Sequence, residues 1–257
     1  SKKKTEYKTL DGFYVEPIQP GKVSDCREFL KKYSEVEGFS VYGNDNYKAQ
    51  YISERYPEEE IKFDINKVRL VTIDIEVSAE GGFPNVFDCA EELLLITLQN
   101  YKTKQIICFA NESNGREYNN NREDVKYVKC LDEIDLIRKF LGFWEQNTPD
   151  AITGWNCELY DIPYIAGRIQ RLLGDKEARR LSPWRSVRKR EFVVQGREQI
   201  SYEIAGVSVI DYLDLYKKFT YKAQESYRLD HIANVELGQK KLDHSEFDTF
   251  KDFYTGN

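Results

Sequence analysis

The chain has 257 residues, 40% hydrophobic and 14% aromatic, enough to bury one large or two modest cores, which excludes a disordered polypeptide. A net charge of -6 excludes a uniformly basic nucleic-acid coat, so contacts with nucleic acid must come from local patches. No apolar run approaches the about 18 residues of a membrane helix, and the start "SKKKTEYK" lacks a signal peptide's apolar segment, which points to the cytosol with no membrane partner.

Residues 1–65 read as a small Tyr-rich module with a helix opening at Ser24 as N-cap and running through "DCREFLKKY". The polar, Pro-containing "RYPEEEIKFDINK" is a plausible connector to the rest, residues 66–257. In "VRLVTIDIEVSAEGGFP", Val71, Ile73, Ile75 and Val77 alternate with period two, as in a strand with one face on a core. Asp74 and Glu76 then share the other face, roughly 7 Å apart, where two carboxylates repel and lose their protons less easily. A divalent cation would remove that conflict. A solvated strand end, where acids cost little, is the ordinary alternative.

Two more strand-like runs, "ELLLITLQN" and "KQIICFA", are separated by the turn-like "YKT", and polar "NESNGREYNNNRED" reads as a surface loop. "LDEIDLIRKFLGFWEQN" carries a helical stripe at Leu131, Ile134, Ile137, Phe140, Leu141 and Trp144. A short strand "DAITGW" follows, then a helix "DIPYIAGRIQRLLGD" with Asp161 as N-cap, Pro163 in its first turn and Gly174 as its stop.

"RRLSPWRSVRKR" holds Arg179, Arg180, Arg185, Arg188, Lys189 and Arg190 around Trp184, with no acid among them. It suits phosphate contact with base stacking, with Arg188 a candidate DNA contact, and it equally suits a solvated loop. "EFVVQGREQISYEI" reads as a hairpin turning at Gly196, and "GVSVID" as a strand running into the helix "DYLDLYKKF". Asp211 and Asp214 read as structural or capping acids, and His231 as a packed helix histidine. Cys26, Cys89, Cys108, Cys130 and Cys157 form no C-x-x-C pair, so they read as free, mostly core thiols.

The order strand, strand, strand, helix, strand, helix is that of the ribonuclease H-like fold, a mixed sheet flanked by helices, although other α/β arrangements share it. In that fold acids gather at strand ends and helix starts. "ITGWNCELYD", with Asn156, Tyr160 and Asp161, resembles the second exonuclease motif, N-x-x-x-F/Y-D, of family B DNA polymerases, and "DIE" resembles the first. With "VIDYLDLYKKF" and "SYRLDHIA", the chain resembles polymerases of T-even-like bacteriophages over nearly its whole length. The resemblance implies an α/β ribonuclease H-like exonuclease domain, residues 66–257, preceded by part of a small N-terminal domain, residues 1–65.

It implies further that Asp74, Glu76 and Asp161 are catalytic ligands of two Mg²⁺ or Mn²⁺ ions in a 3′→5′ proofreading site. Asp74 would be shared between the ions, Glu76 would hold the one binding the nucleophilic water, and Asp161 would serve the other. Asn156 and Tyr160 would line the cleft, and Phe83 would stack on frayed bases. Implied partners are a single-stranded DNA 3′ end, primer-template DNA, the remainder of a polymerase chain and replication accessory proteins, in the cytoplasm of an infected bacterium. Two departures stand out. The family's Y-x-x-x-D motif has no match between Leu229 and Asn257, where His244 and Asp248 have a coincidental spacing, and the polymerase signatures "SLYPS" and "DTD" are absent. The chain is therefore expected to be an N-terminal part with weak nuclease activity and no DNA synthesis. The rival reading is a nucleic-acid-binding module whose nuclease site does not operate.

Overall fold

The computed structural model describes residues 6–42, 46–57, 60, 62–79, 84–113, 122–194 and 196–239; Phe83, His244 and Asp248 lie outside them. Packing divides the chain into two units, Ser1–Phe63 and Asp64–Asn257.

The first unit carries helices α1 (Val23–Tyr33) and α2 (Tyr47–Arg55) and an antiparallel bridge between Lys8 and Tyr14. Helix α1 is capped at Lys22 and not at Ser24: Asp25, three positions on, accepts the Lys22 amide at 2.8 Å, the reaching-back half of a capping box. The rings of Phe29, Tyr33 and Phe39 pack in sequence, with centroids 4.6 and 5.2 Å apart.

The second unit is built on a six-stranded mixed sheet. Its strands are β1 (Leu70–Val77), β2 (Leu93–Asn100), β3 (Ile106–Asn111), β4 (Val125–Cys130), β5 (Ala151–Gly154) and, after the hairpin β6 (Val187–Val194) and β7 (Arg197–Ile204), β8 (Ser208–Asp211). Their order across the sheet is β4-β3-β2-β1-β5-β8, while β6 and β7 pair with each other in a separate two-stranded sheet. β1 is antiparallel to β2 and parallel to β5, which is parallel to β8, so the C-terminal ends of β1, β5 and β8 meet at one edge. The expected alternation in β1 is present: Ile73, Ile75 and Val77 are buried, Asp74 is exposed and Glu76 half-buried. Across the pairing, Ile75 stands beside Ile96 on the core face and Asp74 beside Thr97 on the other.

Strand β4 is an element the sequence reading passed over. "VKYVKC" carries a Lys at its second and fifth positions, which breaks strict alternation, and it lies at the sheet's edge, where lysines discourage further pairing.

Helices α3 (Glu133–Gln146) and α4 (Asp161–Leu173) cover the core, followed by α5 (Asp175–Ala178), α6 (Tyr212–Phe219) and α7 (Leu229–Leu237). In α3 the buried stripe is Leu136, Ile137, Phe140, Leu141 and Trp144. Leu131 lies before the Asp132 cap and is exposed, and Ile134 is half-buried, because the cap starts the helix two residues later than the apolar pattern suggests. In α4 the cap is Tyr160, and Asp161 is the first helical residue. Ile232 of α7 is buried and its neighbour His231 half-buried, as a packed histidine should be. The five cysteines are free thiols, four of them buried. Among the described residues no helix is long and apolar enough to cross a membrane.

Gly154 ends β5 beside the Ile73 carbonyl of β1. A Cβ there would stand 2.7 Å from the Ile73 carbonyl oxygen and 2.9 Å from the Cys157 Cβ, too close for either to remain in place. Gly154→Ala should cost about 1–3 kcal/mol by overpacking, read as a lower urea midpoint at unchanged m-value; an unchanged midpoint would show that the strands can separate freely.

Candidate active site

Asp74 and Glu76 stand near the C-terminal end of β1, at the edge where β5 and β8 also end. β5 runs into a turn, residues 155–160, that delivers Asp161 to the first position of α4. Asp161 is 4% exposed, and its Oδ1 accepts the backbone N–H of Ile75 at 3.1 Å. That amide lies between Asp74 and Glu76 in the chain, so one hydrogen bond ties the start of α4 to the strand that carries the other two acids.

Burial pushes the Asp161 carboxyl up to about 7, and the charge of Asp74 adds to the effect, while the Ile75 bond opposes it. The Tyr160 phenol is pushed up to about 12 by burial first, then by the charges of Asp161, Glu76, Cys89 and Asp74. A single hydroxyl thus feels all three acids. The Tyr160 ring is half-buried and packs 6.0 Å from Tyr164.

The turn is shaped by Asp211, at the end of β8. Its Oδ1 accepts the amides of Asn156 at 3.0 Å and Leu213 at 2.9 Å, and its Oδ2 accepts that of Glu158 at 2.9 Å. This carboxylate caps α6 and holds the turn, the structural role expected of it. Asn156 has a left-handed backbone (φ 61°), a conformation Asn tolerates better than most residues, and its carbonyl accepts the Tyr160 amide at 3.0 Å. Asn at this position therefore has a conformational reason beside any contact with substrate. Glu158, which the sequence reading passed over, is half-buried, and burial together with Asp214 and Asp211 raises its pKa while Arg190 opposes the rise.

The basic run is not one cationic surface. Arg180 pairs with Glu177 at 2.7 Å and with Glu145 at 2.5 Å, and Arg185 pairs with Glu145 at 2.6 Å. The Glu145 carboxyl is held far below the usual range by Arg180 and then Arg185, so these cations serve internal pairing first. Trp184 is exposed. Arg188 is exposed on β6, opposite Glu203 of β7; Phe83 lies outside the described residues.

Three hard oxygen donors around one hydroxyl fit Mg²⁺ or Mn²⁺ in kind, and a cation beside Asp74 and Asp161 would favour the ionised form that burial disfavours. Among the described residues, however, no three His, Cys, Asp or Glu side chains stand close enough together to hold a metal ion. The carboxylates would have to draw in around an ion.

Because the folded chain binds the Asp161 proton more tightly than the unfolded chain does, this group's contribution to stability is fully present below pH about 4 and is lost as the pH rises through about 7. Its size is on the order of 4 kcal/mol at most. Asp161→Asn keeps an acceptor for Ile75 and cannot titrate. Urea melts of the metal-free chain at pH 5 and pH 8 should show the wild type losing stability relative to Asp161→Asn. Parallel pH profiles would mean that Asp161 ionises normally.

Residues 29–232 match the family described as DNA polymerase family B, exonuclease domain. The DNA-directed DNA polymerase of Escherichia phage RB69 is 34% identical over 85% of this chain and 26% of its own length. That of Enterobacteria phage T4 is 30% identical over 94% of this chain and 29% of its own length. The DNA polymerase of Orgyia pseudotsugata multicapsid polyhedrosis virus is 27% identical over 66% of this chain and 18% of its own length. The chain thus spans between a quarter and a third of the two phage polymerases it resembles. With a mixed sheet flanked by helices and a match over most of its length, the chain belongs to the exonuclease domain of the family B DNA polymerases.

Proposed function

We propose that the chain is the 3′→5′ proofreading nuclease part of a phage replicative DNA polymerase, hydrolysing the terminal phosphodiester of a single-stranded DNA 3′ end. The observation that carries this reading is the Asp161–Ile75 hydrogen bond, which brings the third acid to the strand bearing the other two. Two Mg²⁺ or Mn²⁺ ions, when bound, supply an activated water and stabilise the leaving oxygen. Asp74 would be shared between them, Glu76 would hold the one next to the attacking water, and Asp161 would hold the other. Asp161 must give up its proton to act as a ligand, so cation binding should release protons near neutral pH.

Tyr160, half-buried beside the acids, would pack against the terminal nucleotide, and Asn156 would orient its sugar or phosphate. Phe83 would stack on an unpaired base and Arg188 would contact the primer backbone from the hairpin. The remainder of a polymerase chain, primer-template DNA and replication accessory proteins are the partners this role requires, in the cytoplasm of the infected bacterium.

Asp74→Ala should lower Mn²⁺-dependent release of mononucleotides from a short thymidine oligonucleotide by about a hundredfold or more, the scale on which a misplaced reacting group acts. If the chain instead only binds nucleic acid, the wild type will release no nucleotide and the variant will bind the oligonucleotide as the wild type does. A second expectation concerns the substrate: fluorescence anisotropy at fixed salt should show tighter binding of a single-stranded 3′ end than of a blunt duplex, because unpaired bases offer faces for stacking. Equal affinities would remove the proofreading part of the proposal.

A further inference from the structure

One face of α4 holds the backbone of the segment between β1 and β2. The Tyr164 hydroxyl donates to the Glu91 carbonyl at 2.8 Å, Arg168 donates to those of Ala90 at 2.7 Å and Cys89 at 3.0 Å, and Arg171 donates to that of Asp88 at 3.1 Å. The donors are spaced i, i+4, i+7, one stripe of a helix, so four consecutive carbonyls run antiparallel to α4 and each receives a donor from it.

Arg168 is itself gripped. Its Nε and Nη2 donate to the two oxygens of Glu133 in α3, both at 2.7 Å, with each side chain 9% exposed. Glu133 Oε1 also accepts the amide of Leu93, the first residue of β2, at 2.8 Å. One guanidinium therefore joins α3, α4, the 88–91 segment and the start of β2.

The segment has little freedom beside this helix. Cys89 has a left-handed backbone (φ 45°), costly for a residue with a side chain, and its Sγ fills the space that a Cβ on Gly167 would need. At its other end, the Glu92 carbonyl accepts the amide of Ser78, two residues after Glu76. The strand of Asp74 and Glu76 and the helix of Asp161 are thus tied twice: directly, through the Ile75 amide, and around the far side, through Ser78, Glu92 and the carbonyl ladder.

We propose that Arg168 is a positioning residue for the nuclease site: its guanidinium holds α4 at the depth and rotation at which Asp161 can share a cation environment with Asp74. The proposal rests on the metal-dependent nuclease reading above. Arg168 touches neither substrate nor ion. It acts through Asp161, two helical turns away on the same rigid element, and sites of this kind lose rate steeply when a reacting group is displaced by about 1 Å.

The test compares the wild-type chain with Arg168→Lys, which keeps the charge and loses the bidentate fork. Leu141→Ala, in the core of α3, serves as a control of lowered stability. Each is assayed well below its melting temperature for Mn²⁺ affinity and for kcat and KM on a single-stranded oligonucleotide. Arg168→Lys should weaken Mn²⁺ binding and lower kcat by about tenfold or more, the range found for residues that orient metal ligands, with KM little changed. Leu141→Ala should retain both constants.

Tyr164→Phe, which removes one rung and keeps the ring, should shift the same quantities in the same direction by a smaller factor, and it decides the matter if Arg168→Lys does not fold. A folded Arg168→Lys with wild-type Mn²⁺ affinity and kcat would overturn the proposal. So would a loss in Leu141→Ala equal to that in Arg168→Lys, or a Tyr164→Phe identical to the wild type where Arg168→Lys does not fold. A wild type that binds no Mn²⁺ and releases no nucleotide would overturn the nuclease reading itself and take this proposal with it.

Discussion

A buried carboxylate that accepts a strand amide organises this domain. Asp161 opens α4, and its side chain reaches across to accept the Ile75 N–H of the central strand. Burying an acid is unfavourable unless it is hydrogen-bonded or protonated, and here both remedies are present, one accepted amide and a raised pKa. The bond fixes the start of α4 against β1, the strand that carries Asp74 and Glu76. Under the proposed metal-dependent reading, Asp161 would exchange its proton for a cation.

The supports of that arrangement lie at some distance from it. Asp211 accepts three backbone amides at the end of β8 and gives the turn after β5 its shape, which sets where α4 begins. Asn156 contributes a left-handed backbone, and Gly154 permits β5 to approach β1 more closely than a Cβ would allow. Arg168 and Glu133 act from the opposite side of α4. A buried ion pair is weak evidence of stability, because desolvation offsets much of its attraction. This pair also receives one amide and donates to two carbonyls, so its larger consequence is geometric, the fixing of two helices and one connecting segment relative to the sheet.

Charge is used internally as much as toward solvent. The run from Arg179 to Arg190 reads equally as a nucleic-acid surface or a solvated loop, yet Arg180 and Arg185 converge on Glu145, tying α3 to the segment that leads into the hairpin. What remains outward on β6, Arg188 and Arg190, is a smaller and more local positive surface, consistent with a chain whose net charge is -6.

Most strands and helices and the sidedness of Asp74 and Glu76 were legible in the sequence, because strand and helix periods are local and repeat within a few residues. The family was legible too, from the short motifs "DIE" and "ITGWNCELYD" taken in their order along the chain. Tertiary structure decided what depends on residues far apart in the chain. Asp161 reads as a helix cap from its neighbours alone, and only the arrival of Ile75, 86 residues away, turns its side chain to the strand. Edge strand β4 needed β3 beside it, and the stripe of α3 needed the cap at Asp132 to set its phase. The partners of Arg168 lie 35 and about 80 residues away, so nothing in its own stretch distinguishes it from a solvated arginine. A local pattern records which face of an element is buried, while hydrogen bonds and ion pairs between elements arise only once the chain has brought them together.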